Sequence, residues 1–288
     1  MRRIIAIAAC GAGLVSTSIA ASKNSWDNPP KQRMAGLQHR VFQSASVRAS
    51  VGYNICLPPE YDASKNRFPV IYYLHGYQGN ESSYLDYANY WRQSLTLGHP
   101  TILVFVNGGE ASFFCDAPDG ATKGETVVKE LISHIDQNYR TLARREGRSL
   151  HGYSMGGFGA LKLAFKQSDM FGSVVAYGAT LSTAEQMKKH LGKVYAKTFG
   201  SDKARFDAEN PFTLLERNAE QIRRNVRVQI LIGSKDEFLP ANRQLHERLK
   251  ALGVRSDFQE IPGAEHKKEE IYDEAASRGF AFTMKNLP

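Results

Sequence analysis

Three cysteines among 288 residues are too few for a disulfide-built fold, and no stretch stays apolar for the roughly 18–20 residues a membrane-spanning helix needs. No H-E-x-x-H or C-x-x-C spacing groups ligand-type side chains, so neither a metal nor another cofactor is expected. The glycines lack the following Lys-Ser/Thr of a phosphate-binding loop. Basic residues exceed acidic ones, 37 to 29, yet they form no long block and no aromatic-basic repeat, which argues against a nucleic-acid partner. Internal repeats, low-complexity tracts and Pro/Ser linkers are also missing from residues 40–288. With 23% charged and 42% hydrophobic residues, what remains is an ordinary globular composition.

The N-terminus reads differently from the rest. Arg2 and Arg3 precede a short apolar run from Ile4 to Val15, and Ser18-Ile19-Ala20 ends in small residues before Ala21. This is the pattern of a secretory signal peptide over residues 1–20, so a secreted or periplasmic protein is expected. Ile7-Ala8-Ala9-Cys10 resembles a lipobox, but only six apolar residues precede Cys10, which makes lipoprotein anchoring the lesser alternative. Removal of Arg2 and Arg3 leaves 35 basic against 29 acidic residues, a charge of +6. Cys56 and Cys115 remain, and a bridge between them or two buried free thiols are equally open.

After a polar, Pro-containing segment over residues 21–39, strands alternate with helices. Arg40–Ser44 and Ser46–Cys56 alternate apolar and polar side chains, as antiparallel edge strands do. Phe68–Leu74, Thr101–Val106, Gly172–Tyr177 and Val226–Ile232 are continuous apolar runs, the pattern of strands buried on both faces. Helical spacing fills Glu125–Tyr139 and Pro240–Leu252. The pattern predicts one α/β domain over residues 40–288, a mostly parallel sheet with helices on both faces. Residues 178–225 exceed a simple crossover and are expected to carry additional helices near the active edge.

One stretch demands a chemical explanation. HGYSMGGFGA, residues 151–160, sets Ser154 among four glycines between a predicted strand, Arg148–Gly152, and a predicted helix, Gly157–Gln167. Strand, sharp turn and helix are the context of the G-x-S-x-G nucleophile motif. Gly152, Gly156 and Gly157 are expected where a side chain would strike neighbouring backbone, and the helix N-terminus aims its N–H groups beside the serine hydroxyl. A serine hydroxyl is a weak nucleophile and requires a base held by a carboxylate. Of the three later histidines, His190 and His246 sit in polar helical sequence, whereas His266 follows the strand Asp257–Ile261 and the turn Pro262-Gly263-Ala264. Asp236 begins the loop after Val226–Ile232 and is the preferred acid; Glu237 is its rival, and a helix-capping role for Asp236 is the plainer reading. The backbone N–H of Met155 and that of Tyr77, in the loop Leu74-His75-Gly76-Tyr77, are the candidate oxyanion donors, with His75 bracing the loop.

At these residues the sequence resembles the putative esterase family of α/β-hydrolases, which includes feruloyl and acetylxylan esterases, S-formylglutathione hydrolases and mycolyltransferases. The likeness runs from about Val41 to Phe282 through NICLPPEY, VIYYLHGY, GYSMGG, ILIGSKDEFLPANRQLHERLKALG and PGAEH, in that order. It implies an α/β-hydrolase fold, a Ser154–Asp236–His266 triad and an oxyanion hole from the Tyr77 and Met155 amides. One departure stands out: Lys267, Lys268, Glu269 and Glu270 follow the histidine, where family members often carry a tryptophan-containing segment.

The expectation is therefore a secreted serine carboxylesterase working through an acyl-enzyme on Ser154. Export disfavours a cytosolic thioesterase and favours acetyl or feruloyl esters of polysaccharide. Transfer of the acyl group to a sugar hydroxyl uses the same triad, and a catalytically silent binding protein would lack one of its members. The loop Asn107–Gly120, with Phe113, Phe114, Asp116 and Asp119, is expected near an aromatic-walled pocket. Nothing in the sequence sets the oligomeric state.

Overall fold

The computed structural model describes residues 26–288, so the predicted leader, its cleavage site and Cys10 lie outside the described residues. The first strands among the described residues are the antiparallel pair β1 (Leu37–Ser44) and β2 (Ala49–Cys56). Six further strands follow: β3 (Val70–Leu74), β4 (Ile102–Val106), β5 (Arg148–Tyr153), β6 (Ser173–Tyr177), β7 (Arg227–Gly233) and β8 (Ser256–Ile261). They form one sheet in the order β1-β2-β4-β3-β5-β6-β7-β8, parallel from β4 onwards. This is the α/β-hydrolase arrangement expected from the alternation of apolar strands and helices.

Most boundaries shift from expectation by one to three residues; β2, for example, starts at Ala49 and not at Ser46. β1 starts at Leu37, inside the segment assigned to the lead-in. β3 starts at Val70 because Pro69 has no N–H to give to a ladder; Phe68 instead forms a separate bridge with Thr141.

Successive residues of a strand face opposite sides, and each side has its own core. Val70, Tyr72 and Leu74 pack with α2 (Gly124–Asn138), α3 (Met155–Lys166), α7 (Pro211–Asn225) and α8 (Leu239–Ala251). Ile71 and Tyr73 pack with α1 (Tyr87–Ser94) and α9 (Lys268–Asn286). Between β6 and β7 the chain adds α4 (Ala184–His190), α5 (Gly192–Phe199) and α6 (Lys203–Glu209) before α7. A capping box, Thr183 with Gln186, starts α4, and Asp202 caps α6.

Strand order decides where a site can form. From β3 the chain moves to β4 on one side and returns to β5 on the other, so the loops leaving β3 and β5 diverge over a crevice. Leu74 pairs with Gly152 at the carboxyl ends of those strands. That register sets the Tyr77 loop beside Ser154.

Candidate functional site

Ser154 occupies the turn between β5 and α3 with φ 57° and ψ −116°, a conformation non-glycine residues rarely adopt and one that costs roughly 1–3 kcal/mol. The neighbouring backbone holds it there. Its N–H donates to the Tyr177 carbonyl at 2.9 Å, and its own carbonyl accepts from Phe158 and Thr180 at 3.1 and 3.2 Å. A Cβ on Gly152 would lie 2.1 Å from the Gly156 carbonyl oxygen, and one on Gly156 would lie 2.0 Å from that of Leu74. At Gly157 it would meet Ala179 at 2.9 Å. The glycines around the serine thus permit β5, α3 and the β3 loop to crowd together, as the sequence suggested.

His266 and Asp236 come from loops that are stitched to one another. After β7, Ser234 N–H donates to Ile261 and Lys235 N–H to Ala264, both at 2.9 Å. The Gly263 N–H returns a bond to Ser234 Oγ at 2.8 Å. This pairing carries His266 Nδ1 to 2.7 Å from Asp236 Oδ2, while His266 Nε2 lies 2.8 Å from Ser154 Oγ. An ionised carboxylate only accepts, so Nδ1 carries the imidazole hydrogen and Nε2 is free to accept from the serine. The Asp236 side chain is fully buried, and its Oδ1 accepts from the Phe238 N–H at 2.9 Å. One oxygen thus holds the turn before α8, whose N-cap is Phe238 and carries no side-chain cap, while the other faces the imidazole.

The alternatives lie elsewhere. Glu237 is exposed on the cavity wall, and it is Asp236 that meets the imidazole. His246 is half-buried, stacked on Phe258 with ring centroids 5.2 Å apart. His190 is exposed at the end of α4, as expected of polar helical sequence, but it also lines the cavity, a position its neighbours in the chain do not reveal.

That cavity, about 430 Å³, opens over Ser154 and His266. Tyr77 and Met155, the two residues proposed for their amides, line it together with Ser154. Met155 is the first residue of α3, where N–H groups have no partner within the helix. Apolar walls come from Phe113, Leu181, Met187, Leu191 and Phe238. Phe113 meets the expectation of an aromatic wall, but Phe114 turns inward against the His75 ring, 5.2 Å between centroids. Asp116 accepts from the Thr126 N–H and hydroxyl at the start of α2, and Asp119 accepts from the Ala121 N–H, so neither carboxylate serves the pocket. His75 is buried between the Gly76 carbonyl, 2.9 Å from Nδ1, and the Gly108 N–H, 3.3 Å from Nε2. Burial lowers its pKa to about 4, which the bond to Gly76 only partly offsets; it is a neutral brace.

One group at the site escaped the sequence reading. Thr180 Oγ1 lies 3.0 Å from Ser154 Oγ. Nothing in GATLST distinguishes it from an ordinary loop threonine.

Asp27, His39 and Glu81 bring three ligand-type atoms within 4.8 Å of one another. They are already joined as a clasp that holds the N-terminal segment to the sheet edge. Asp27 Oδ1 meets His39 Nε2 at 2.9 Å, and Glu81 accepts from the Asn28 N–H and from Asn107 Nδ2.

The chain resembles known hydrolases in sequence and shape. Esterase Rv1288 of Mycobacterium tuberculosis (strain ATCC 25618 / H37Rv) is 30% identical over 253 residues, covering 77% of this chain and 54% of that protein. The chain thus spans about half the length of that relative. An acetyl esterase of Caldicellulosiruptor saccharolyticus is 26% identical over 216 residues, 70% of this chain and 79% of its own. Among solved structures, the fluorophosphonate-binding serine hydrolase FphF of Staphylococcus aureus superposes with a TM-score of 0.75 at 18% identity, covering 86% of this chain and 98% of its own. The pattern of the family described as “Putative esterase” matches residues 44–275, and the chain belongs to that family.

Proposed function

We propose that this protein is an exported serine carboxylesterase that forms an acyl-enzyme on Ser154. The observation that carries the reading is the continuous chain from Ser154 Oγ to His266 Nε2 at 2.8 Å and from His266 Nδ1 to Asp236 Oδ2 at 2.7 Å. In the proposed reaction Ser154 Oγ attacks the ester carbonyl as its proton passes to His266 Nε2. Asp236 holds the imidazole in the required tautomer and stabilises the imidazolium. The Met155 and Tyr77 N–H groups stabilise the oxyanion. His266 then protonates the leaving alcohol, and water releases the acid by the reverse sequence. The leader pattern at residues 1–20 supports export.

The apolar cavity supports an acyl group as large as an aromatic acid, and the acetyl esterase relative supports acetyl. Polysaccharide-linked acetyl or feruloyl esters are the proposed substrates. The test is hydrolysis of p-nitrophenyl acetate and methyl ferulate by wild type and by folded Ser154→Ala. Loss of both activities in the variant is expected, and the wild-type ratio ranks the two acyl groups. Equal background rates from both proteins on both esters would overturn the assignment.

A further inference from the structure

Ser154 Oγ has two hydrogen-bonding neighbours, and the proposed triad uses only one of them. Thr180 Oγ1, at 3.0 Å, is the other. Its loop is rigidly held. The Thr180 N–H donates to the Ser154 carbonyl at 3.2 Å, Asn242 Nδ2 on α8 donates to the Ala179 carbonyl at 2.8 Å, and Gly178 N–H donates to Leu231 at 2.8 Å. Thr180 also lines the cavity beside Ser154 and His266. A hydroxyl so fixed, next to a reacting oxygen and open to the substrate space, is arranged for more than packing.

A serine hydroxyl has one hydrogen and two lone pairs. When Ser154 gives its hydrogen to His266, Thr180 must be the donor in the second bond, to a lone pair of Ser154 Oγ. Acylation turns that Oγ into an ester oxygen, a poor acceptor, and frees the Thr180 hydroxyl for the group that arrives next. Building on the acyl-enzyme reading, we propose that Thr180 is a positioning residue for the deacylating water and biases the enzyme toward hydrolysis over acyl transfer. The water donates one hydrogen to His266 Nε2 and the other to Thr180 Oγ1, which directs an oxygen lone pair at the acyl carbon. The water oxygen bonds to that carbon as His266 takes its proton. The C–Oγ bond then breaks, Ser154 Oγ recovers the proton from Nε2, and the acid leaves. An alcohol has only one hydroxyl hydrogen, which must go to His266. It can meet Thr180 only as an acceptor, as Ser154 Oγ does in the resting site, so the two-donor arrangement that aims the lone pair is open to water alone.

The test is partitioning of one acyl-enzyme between two acceptors. Full-length wild type, Thr180→Val and Thr180→Ser are given p-nitrophenyl acetate in graded methanol, and methyl acetate and acetate are both measured. The expected result is a methanolysis-to-hydrolysis ratio raised about tenfold in Thr180→Val, a bias of about 1.4 kcal/mol, and a ratio restored to wild type in Thr180→Ser. A merely structural role changes the amount of acyl-enzyme but not how it divides. An unchanged ratio in Thr180→Val, or the same rise in Thr180→Ser, would overturn the proposal; should the valine variant fail to fold, Thr180→Ala replaces it in the comparison. Mass spectrometry of acetylated wild type keeps the two readings apart. Acetyl on Ser154 with an unchanged ratio sinks the role of Thr180 alone, and no acetyl on Ser154 sinks the esterase mechanism and this inference with it.

Discussion

Tyr153 lies nearly parallel to His266, with ring centroids 5.3 Å apart and planes 23° from one another, and it immediately precedes Ser154. Phe238 makes a T-shaped contact with the His266 ring, 5.0 Å between centroids and 69° between planes. The proposed base is thus stacked on the same turn that bears the proposed nucleophile, with Phe238 as its second aromatic neighbour. Misplacing an imidazole by a fraction of an ångström costs rate before it costs binding.

Tyr153→Ala is expected to lower kcat about tenfold, or ~1.4 kcal/mol in the barrier, with KM changed little. Tyr153→Phe keeps the ring and should keep most of the rate. Steady-state kinetics on p-nitrophenyl acetate check this, and equal kcat for the alanine variant and wild type would refute the stacking role.

Lys162 is fully buried on α3, with its ammonium 2.5 Å from Glu125 and 3.0 Å from Glu209, and it donates to the Phe114 carbonyl at 2.7 Å. Burial alone would raise the Glu125 carboxyl, but Lys162, Lys129 and Lys166 together hold it well below its ordinary value. For Lys162, burial pulls the other way and the carboxylates prevail, raising it above 10.5. A lowered acid stabilises the fold above its ordinary value of 4.5 and that contribution fades as pH falls. A raised base stabilises below 10.5 and its contribution is lost as pH climbs. Lys162→Met should cost about 3 kcal/mol in urea unfolding at neutral pH, since it leaves buried carboxylate without its nearest cation. It should also raise KM, because Phe114 anchors the loop that places Phe113 in the cavity wall.

Burial lowers four histidines, His75, His134, His151 and His246, and the two that are fully buried report on pH most strongly. Burial lowers His151 to about 3, where it sits between Tyr87 and Thr283, and lowers His75 to about 4. Both fall below the ordinary 6.5, so the unfolded chain binds more protons in the acid range and stability drops as pH falls below 6.5. At pH 5 each contributes a loss of about 2 kcal/mol relative to neutral pH. Urea unfolding at pH 5 and pH 7 should show this loss, and His151→Phe should reduce the difference. A flat profile between those pH values would contradict this account.

Cys56 and Cys115 are free thiols, each buried and each pushed up to about 12 by burial. They belong to the cores on opposite faces of the sheet, so no bridge joins them. Neither should react with dithiobisnitrobenzoate in the native protein, and both should react in guanidinium without reductant.

The parallel strands were legible because burial on both faces writes them as apolar runs. Their ends shifted by a residue or two where a proline or a loop bond intervened, as at Pro69. α9 was not recognised, although Ile271, Tyr272, Ala275, Ala276, Gly279, Phe280, Thr283 and Met284 share one helical face. Small residues weaken that stripe to the eye. They are there because α9 lies close on the sheet: a Cβ on Gly279 would come 1.9 Å from the Tyr177 hydroxyl.

By sequence alone, Ser154 announces itself through the glycines its turn requires, and Asp236 and His266 through their places at the ends of strands. Those signals are local, since backbone conformation and burial act on neighbours in the chain. Tertiary structure alone decided what meets what. Strand order set β3 beside β5, paired loops carried Asp236 to His266, and the turn after β6 brought Thr180 to Ser154. Hydrogen bonds between groups 26, 30 and 112 residues apart leave no periodicity to read, because their partners are chosen by three-dimensional proximity rather than by spacing along the chain.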